Sequence, residues 1–228
     1  MDFVKYSLRL RRAIIKPSIV FLGSLLLSAS GWAQPAASVA ESISAVEVVE
    51  RFASEVDDLA ASFQQNVFDA NGELLERSSG QFLLLRPNRF AWYYETPDEI
   101  EIIADGESLW MYDVELEQIT VAPLSDLAAS PAMVLSGAGT VSENFVVRDI
   151  GTFDGKRWIE LLPIEEDGEF ESVKIAFLDG VPSVLELVDG ISQVTQIEFG
   201  DVDVNSGLKE RDFEFDPPDD VDIIGGDD

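Results

Sequence analysis

Residues 80–94 read GQFLLLRPNRFAWYY and contain the pattern from which the fold can be predicted. Two short apolar runs, 82–85 and 90–94, flank an Arg-Pro-Asn turn at 86–88. Short runs rich in aromatic and aliphatic residues that end at Pro or Asn are typical of β-strands. Because both runs are apolar at successive positions, both faces of these strands need a cover. That cover is either helices of the same chain or an apolar partner.

The same succession of short apolar runs and turn residues extends along the chain. Asn-Gly and Asp-Gly pairs, such as 71–72 and 179–180, favour tight hairpins because they accept positive backbone dihedral angles. The pattern predicts about eleven strands and a single, mainly β, antiparallel domain over residues 34–228. The predicted strands are 61–68, 74–85, 89–94, 99–104, 108–113, 116–122, 144–150, 156–162, 170–178, 183–188 and 193–204.

Two segments have helical patterns instead. A capping box at 44–47 precedes apolar residues that recur every three or four positions between 43 and 63, which predicts an amphipathic N-terminal helix. Residues 124–139 predict one or two short helices, split at Pro131. Short helices cannot bury their own apolar atoms, so these must lie on the sheet. They form either fixed core packing or a movable cover.

The first 33 residues differ in character from the rest of the chain. A basic front precedes an apolar run at 19–27, and small residues follow, with Gly31 and Ala33 just before Gln34. This layout is typical of a secretory signal peptide, which we predict is cleaved after residue 33. An apolar run of about nine residues is too short to span a bilayer. Export of a chain without cysteine suits a bacterial periplasm.

The composition excludes several classes of function. The chain has 44 acidic and 15 basic residues, a net charge of −29, and neither Cys nor His. This excludes Cys/His zinc sites, disulfides, thiol nucleophiles and Ser-His-Asp relays. A surface this acidic repels nucleic acids and anionic membranes. We therefore expect no enzyme activity, no cofactor, no metal and no nucleic-acid partner.

Two acidic patterns invite functional interpretations that we consider weaker. The pairs at 165–166 and 219–220 could act as acid and base in glycoside hydrolysis, but they lie in predicted loops. Residues 201–207 are similar to the start of a calcium loop, but the glycine is one position late and no glutamate closes the loop. A strand that runs into a turn explains this segment better.

Several stretches match one known family in order and spacing. They are 61–65, 80–90, 97–98, 105–113, 117–121, 130–137 and 213–218. On these stretches, the chain after the leader resembles the periplasmic outer-membrane lipoprotein carrier family, LolA. The resemblance implies an incomplete, half-open antiparallel β-barrel with an N-terminal helix and a short helical lid, about 124–139, over its concave apolar face.

The resemblance also implies a function and partners. Such monomeric chaperones take lipoproteins from the inner-membrane ABC transporter LolCDE, shield their acyl chains, and deliver them to the outer-membrane receptor LolB. The receptor is a related protein that needs a lipidated cysteine, and this chain has none. The implied role is therefore the periplasmic shuttle. The alternative is a related carrier of another lipid or a glycolipid.

The family's functional positions fall on two residues of the opening stretch. The arginine that bonds to the backbone of the covering helix, here 131–136, and holds the lid shut falls on Arg86. The aromatic residue that engages the transporter or acceptor falls on Phe90. Read from the sequence alone, Arg86 could instead be a turn residue paired with a nearby carboxylate. The predicted acyl-chain cavity consists of Phe82, Trp92, Trp110, Met111, Met133, Val134 and Leu135.

Overall fold

Twelve strands form one sheet in this computed structural model, which describes residues 43–124, 135, 141–164, 170–219 and 221–225. The strands are β1 (Asp58–Phe68), β2 (Leu74–Leu85), β3 (Arg89–Thr96), β4 (Ile100–Asp105), β5 (Ser108–Asp113), β6 (Gln118–Pro123), β7 (Phe145–Phe153), β8 (Lys156–Pro163), β9 (Phe170–Leu178), β10 (Val181–Asp189), β11 (Val194–Val204) and β12 (Asp222–Gly225). The predicted leader, and most of the predicted lid at 124–139, lie outside the described residues.

The sheet is open and almost entirely antiparallel. Its order is β12-β6-β5-β4-β3-β2-β1-β11-β10-β9-β8-β7, so β12 and β7 are the two edges. The predicted mainly β fold, an unclosed antiparallel barrel with an N-terminal helix, is confirmed. Predicted Asn-Gly and Asp-Gly turns join the strands, and Gly72 and Gly180 adopt the positive φ angles of 81° and 88° that these turns require.

The last strand is the one that the sequence pattern misses. β12 pairs in parallel with β6, with Ile223 opposite Ile119. A strand of four residues within an acidic tail has no alternating pattern of its own. Its conformation follows from the free edge of β6, to which it adds backbone hydrogen bonds.

Helix α1 (Ala45–Glu55) begins as predicted and ends earlier. The amide of Glu47 donates to Ser44 Oγ at 3.1 Å, and the amide of Ser44 donates to Glu47 Oε2 at 2.7 Å, which confirms the capping box. The prediction that the helical stripe continues to position 63 is wrong, because Leu59 and Phe63 lie in β1. A step of four residues keeps side chains on one face of a helix and also of a strand, so this spacing cannot distinguish the two.

Helix α1 packs on one face of the sheet, which we call the inner face. Val49 and Phe52 of α1 are buried in the main core, and the ring of Phe52 meets that of Phe177 edge-on at 6.0 Å. A second, smaller core lies on the outer face, where Phe213 of a 3₁₀ turn after β11 covers Ala91 and Ile103. A short helix, α2 (Val141–Asn144), precedes β7. Neither described helix has the length and apolar character needed to cross a membrane.

Candidate functional site

The register of β2 to β5 decides which apolar residues face α1. Phe82 lies opposite Trp92, Trp92 opposite Ile102, and Ile102 opposite Met111. Residues directly opposite in an antiparallel sheet share a face, so these residues form one row on the inner face. Phe82 and Trp92 are buried in the main core, whereas Met111, at the end of the row, is 42% exposed.

Aromatic rings form the floor of the inner face. Phe82 lies 4.3 Å from Trp92 and 5.5 Å from Phe199, measured between ring centroids. Phe63 meets both Trp92 and Tyr94 edge-on at 5.0 Å. We call these five residues, contributed by β1, β2, β3 and β11, the aromatic floor. It offers a continuous apolar surface with which a hydrocarbon could make contact.

A narrow apolar cavity lies between this floor and α1. It is lined by Phe52, Leu59, Phe82, Leu84, Leu135, Pro182 and Phe199. Leu135, the described residue of the predicted covering helix 131–136, is only 2% exposed and helical in conformation. The cavity is apolar and too narrow to hold a water molecule. The described residues therefore leave no room for a guest molecule in this cavity.

Arg86 lies at one end of the cavity, at the corner where α1 meets β1. Its backbone amide donates to the carbonyl of Asp57 at 2.9 Å, and its Nε donates to the carbonyl of Val56 at 2.8 Å. Its guanidinium carbon lies 4.9 Å from the centre of the Phe52 ring, which is a cation–π distance. The turn predicted at 86–88 therefore directs this side chain toward the end of α1.

The rest of the Arg86 guanidinium is buried without a partner in the described part of the chain. Neither Nη1 nor Nη2 has a hydrogen-bond acceptor there, and no ion pair of the described residues includes Arg86. Burial lowers the pKa of Arg86 to about 10, although the negative charge of Asp57 opposes this shift. Pairing with a nearby carboxylate, the alternative interpretation of this arginine, is not what the described residues show.

Asn205 fixes the same corner from β11, and sequence reasoning missed its role. Its Nδ2 donates to the carbonyl of Glu55 at 3.0 Å, and its Oδ1 accepts from the amide of Asp57 at 2.8 Å. The buried Asp58 carboxylate accepts from the Ser hydroxyl and the Gly amide at 206–207. The backbone at the end of α1 is thus held by side chains distant in sequence. The sequence signal was an Asn-Ser-Gly turn, which indicates a bend and no partner.

The structure places Trp110 away from the other predicted cavity residues. It lies opposite Ile103 and therefore on the outer face. Its ring packs at 5.4 Å from that of Phe215, and its Nε1 donates to Asp105 at 2.8 Å. Trp110 therefore does not line the inner face, which corrects its predicted place in the acyl-chain cavity. Strand β5 is apolar on both faces, so composition alone could not assign the face.

Phe90 lies in the interior and not on the surface, where a docking residue would lie. Its side chain is 2% exposed and packs within the main core, opposite Leu84 and Ala104. In this conformation the buried ring does not reach the surface, and the contact of Phe90 with the transporter or acceptor remains a prediction. Of the other predicted cavity residues, Met133 and Val134 lie outside the described residues.

A second arginine holds the opposite end of α1. Arg157 Nη2 donates to the carbonyl of Ile43 at 2.6 Å and to Asp149 Oδ2 at 2.6 Å. The hydrogen bonds from Arg157 hold the pKa of Asp149 below its usual value, and the amide of Gly151 adds to this effect. Both ends of α1 are therefore tied to the sheet by guanidinium groups.

Comparisons with known proteins agree with this architecture. Residues 54–216 match the family model described as "Outer membrane lipoprotein carrier protein LolA". An outer-membrane lipoprotein carrier protein from Halorhodospira halophila is 36% identical over 184 residues, covering 80% of this chain and 86% of that protein. One from Alkalilimnicola ehrlichii is 39% identical over 180 residues, covering 76% and 80%.

A solved structure supports the fold alone. The crystal structure of an uncharacterized conserved protein from Thermus thermophilus superposes with a TM-score of 0.54 at 14% identity, and covers 80% of this chain and 99% of that chain. The family model spans well over half of the sequence, and the relatives share more than a third of their residues with it across most of their length. This chain belongs to the LolA family of outer-membrane lipoprotein carrier proteins.

Proposed function

We propose that this protein is a periplasmic chaperone that carries lipoproteins between two membranes by shielding their acyl chains against the inner face. The observation that carries the proposal is the aromatic floor together with the closed apolar cavity above it. The relatives are named as outer-membrane lipoprotein carriers, which agrees with a hydrocarbon as the guest. The predicted leader at 1–33 would direct export to the periplasm.

The size of the cavity requires that the protein opens to bind. Sites for ligands of drug size or larger occupy about 300–1,000 Å³. The cavity between the floor and α1 is too narrow even for a water molecule, and therefore for an acyl chain. The structure therefore corresponds to a closed form. An acyl chain enters when the segment that carries Leu135 moves away from the floor.

The energetics explain why a carrier needs such a closed form. Each buried methylene contributes about 0.8 kcal/mol, so one chain of palmitate size gains on the order of 10 kcal/mol. Cargo bound this tightly leaves slowly. An empty state that is itself stabilised by a closed lid offsets part of this gain, because opening the lid then opposes binding. The carrier can thus pass its cargo to an acceptor.

We infer that Arg86 supplies this closing interaction. Two of its nitrogens are buried and lack acceptors in the described residues, while the third already binds the end of α1. The backbone of the predicted covering helix 131–136 would provide the missing acceptors. Hydrogen bonds to a charged group contribute about 1.5–3 kcal/mol each. Two such bonds would offset part of the binding free energy that one buried acyl chain contributes.

The family position also suggests the partners. We propose that the monomeric protein receives lipoproteins from the inner-membrane ABC transporter LolCDE and delivers them to the outer-membrane receptor LolB. The side chain of Phe90 is buried in the closed form. Its part in loading would therefore be to pack the hairpin that presents Arg86, with any direct contact confined to the open form.

Binding of an acylated peptide tests the proposal, because Trp92 lies in the floor and reports on it. We expect a triacylated lipopeptide to change the fluorescence emission of the purified protein, whereas the same peptide without acyl chains does not. Trp92→Phe should abolish the change. Trp110→Phe should retain it, because Trp110 lies on the outer face.

Two further measurements make the result decisive. A diacylated glycolipid tested as competitor measures whether the guest is a lipoprotein or another lipid. Mass spectrometry of material that co-purifies from the periplasm identifies the natural guest. No spectral change with any acylated ligand, or an equal change in Trp92→Phe and Trp110→Phe, would contradict an acyl-binding inner face.

A further inference from the structure

The aromatic floor stops at a pair of polar side chains. The hydroxyl of Tyr94 donates to Gln65 Oε1 at 3.1 Å. Gln65 lies two residues after Phe63 on β1, so both side chains are on the inner face. On β1 and β2, the apolar surface that begins near Leu59 thus meets hydrogen-bonding groups at position 65, whereas on β11 it continues with the buried Ile197 opposite Gln65.

Two more polar residues lie beside this pair. Ser78 lies opposite Gln65 across β1 and β2 and is almost completely buried. Its hydroxyl donates to Glu76 Oε1 at 3.1 Å. We call Gln65, Ser78, Glu76 and the hydroxyl of Tyr94 the polar layer. Gln65, Ser78 and the hydroxyl of Tyr94 lie at one level of the inner face, and Glu76 lies one step further along it, opposite Val67.

The Tyr94 hydroxyl is held firmly at this level. Gly80 lies between Phe63 and Tyr94 in the register, so the two rings meet across it at 5.0 Å. A side chain at Gly80 would collide with the backbone carbonyl of Tyr93. Burial raises the pKa of Tyr94 to about 12, and the charge of Glu76 adds to the shift. The hydroxyl therefore remains a neutral hydrogen-bond donor within a largely apolar surrounding.

We propose that the polar layer limits the length of acyl chain that the protein carries. This inference rests on the proposed carrier function and adds the property that selects among guests. An acyl chain whose end reaches the polar layer either breaks the hydrogen bond between Tyr94 and Gln65 or excludes water from both side chains. Polar groups buried without partners are unfavourable, so further methylenes gain nothing there.

The distance along β1 sets the scale of this limit. Six residues separate Leu59 from Gln65, which corresponds to roughly 20 Å at about 3.4 Å per residue. Along this floor, each added methylene should increase affinity about fourfold. At the polar layer the increase should stop. The structure therefore predicts a plateau in affinity as chain length grows.

The test is a series of peptides that carry one acyl chain of increasing length, measured by Trp92 fluorescence. The double variant Gln65→Leu/Tyr94→Phe removes both partners of the hydrogen bond, so neither is left unsatisfied and the fold should be retained. In the variant, we expect affinity to continue to rise about fourfold per methylene past the wild-type plateau. A peptide whose chain is two methylenes longer than the wild-type plateau should then bind about fifteenfold more tightly to the variant than to wild type.

The chain offers a matched control in the adjacent residues. Gln64 and Tyr93 precede the tested residues and point to the outer face, where Gln64 is exposed and Tyr93 packs on the outer core. Gln64→Leu/Tyr93→Phe makes the same chemical changes there and should keep the wild-type plateau. Circular dichroism and thermal melting confirm that both variants are folded.

The outcomes separate this inference from the proposed function. An unchanged plateau in Gln65→Leu/Tyr94→Phe, or an equal shift in the control variant, would overturn the length limit and leave the carrier function in place. If the wild-type protein binds none of the acylated peptides, the carrier function fails and the length limit fails with it.

Discussion

The two ends of helix α1 are tied to the sheet by the same kind of bond in different surroundings. At the C-terminal end, Arg86 donates to the carbonyl of Val56 at 2.8 Å. At the N-terminal end, Arg157 donates to the carbonyl of Ile43 at 2.6 Å. Arg157 also binds the carboxylate of Asp149, so its charge is balanced. Arg86 is buried, and within the described residues two of its nitrogens lack acceptors.

This difference suggests that the Arg157 end of α1 is fixed, whereas the Arg86 end has hydrogen-bond donors that can bind another group. Arg157 is already paired with Asp149 and gains no free energy from a new partner, so we expect this end of α1 to stay in place. A buried guanidinium with unused donors is costly unless another group completes its hydrogen bonds. If Arg86 is the latch that we propose, its end of α1 is therefore the place where movement of the cover changes the free energy most.

Introducing a glutamate near each end of α1 should produce the largest difference in the free energy of unfolding. Phe90→Glu, next to the Arg86 turn, forces a carboxylate into the main core, and we expect it to lower the free energy of unfolding by more than about 3 kcal/mol. Phe153→Glu, near Arg157, changes a side chain that is 59% exposed and should cost less than about 0.5 kcal/mol. Urea denaturation measures both. Equal stability of the two variants would show that Phe90 is not core.

Replacing each arginine in turn should distinguish an effect on lipoprotein transfer from an effect on folding stability. We expect Arg86→Leu to slow lipoprotein transfer to the acceptor about tenfold, because the closed empty state loses hydrogen bonds and cargo is retained. Its stability should change little, since a buried charge without a full set of partners is also removed. Arg157→Leu should lower stability by about 1 kcal/mol and leave transfer normal. Normal transfer by Arg86→Leu would contradict its role as a latch.

The smallest expected effect is a pH dependence confined to the Arg157 end. Hydrogen bonds from Arg157 hold the pKa of Asp149 in the folded protein below its usual value of 3.8. The stability that this carboxylate contributes is therefore present above pH 3.8 and is lost as pH falls through the lower folded value. The melting temperature of Asp149→Asn should lie less than about 3 °C below wild type near neutral pH, and the difference should disappear in acid. A difference that is constant with pH would argue against the ion pair.

The strands were predictable because alternation and turn chemistry are local properties. Eleven strands appear where the sequence places them, and Gly72 and Gly180 occupy turns that only a positive φ angle permits. The end of α1 was not predictable, since the step from Leu59 to Phe63 satisfies helix and strand periods equally. β12 lacked a local signal because the edge of β6 determines it.

The candidate site was predictable in part. The sequence indicates Phe82, Trp92 and Arg86 as residues of an apolar site with a cationic closure, and the structure brings all three near α1. It could not assign Trp110 to a face, because in a strand apolar at every position a shift of one residue exchanges the faces without changing the composition. It also could not pair Asn205 with the end of α1, a contact between residues about 150 positions apart.

The amino-acid sequence was enough to predict the strand and turn pattern and the family, and it shows that the chain has neither cysteine nor histidine. Each depends on residue types and their spacing along the chain. The fold itself was needed to show which apolar residues share the inner face, and that Arg86 and Arg157 bond to opposite ends of one helix. These facts depend on register and on contacts between distant segments, and the same local pattern permits either face and many partners.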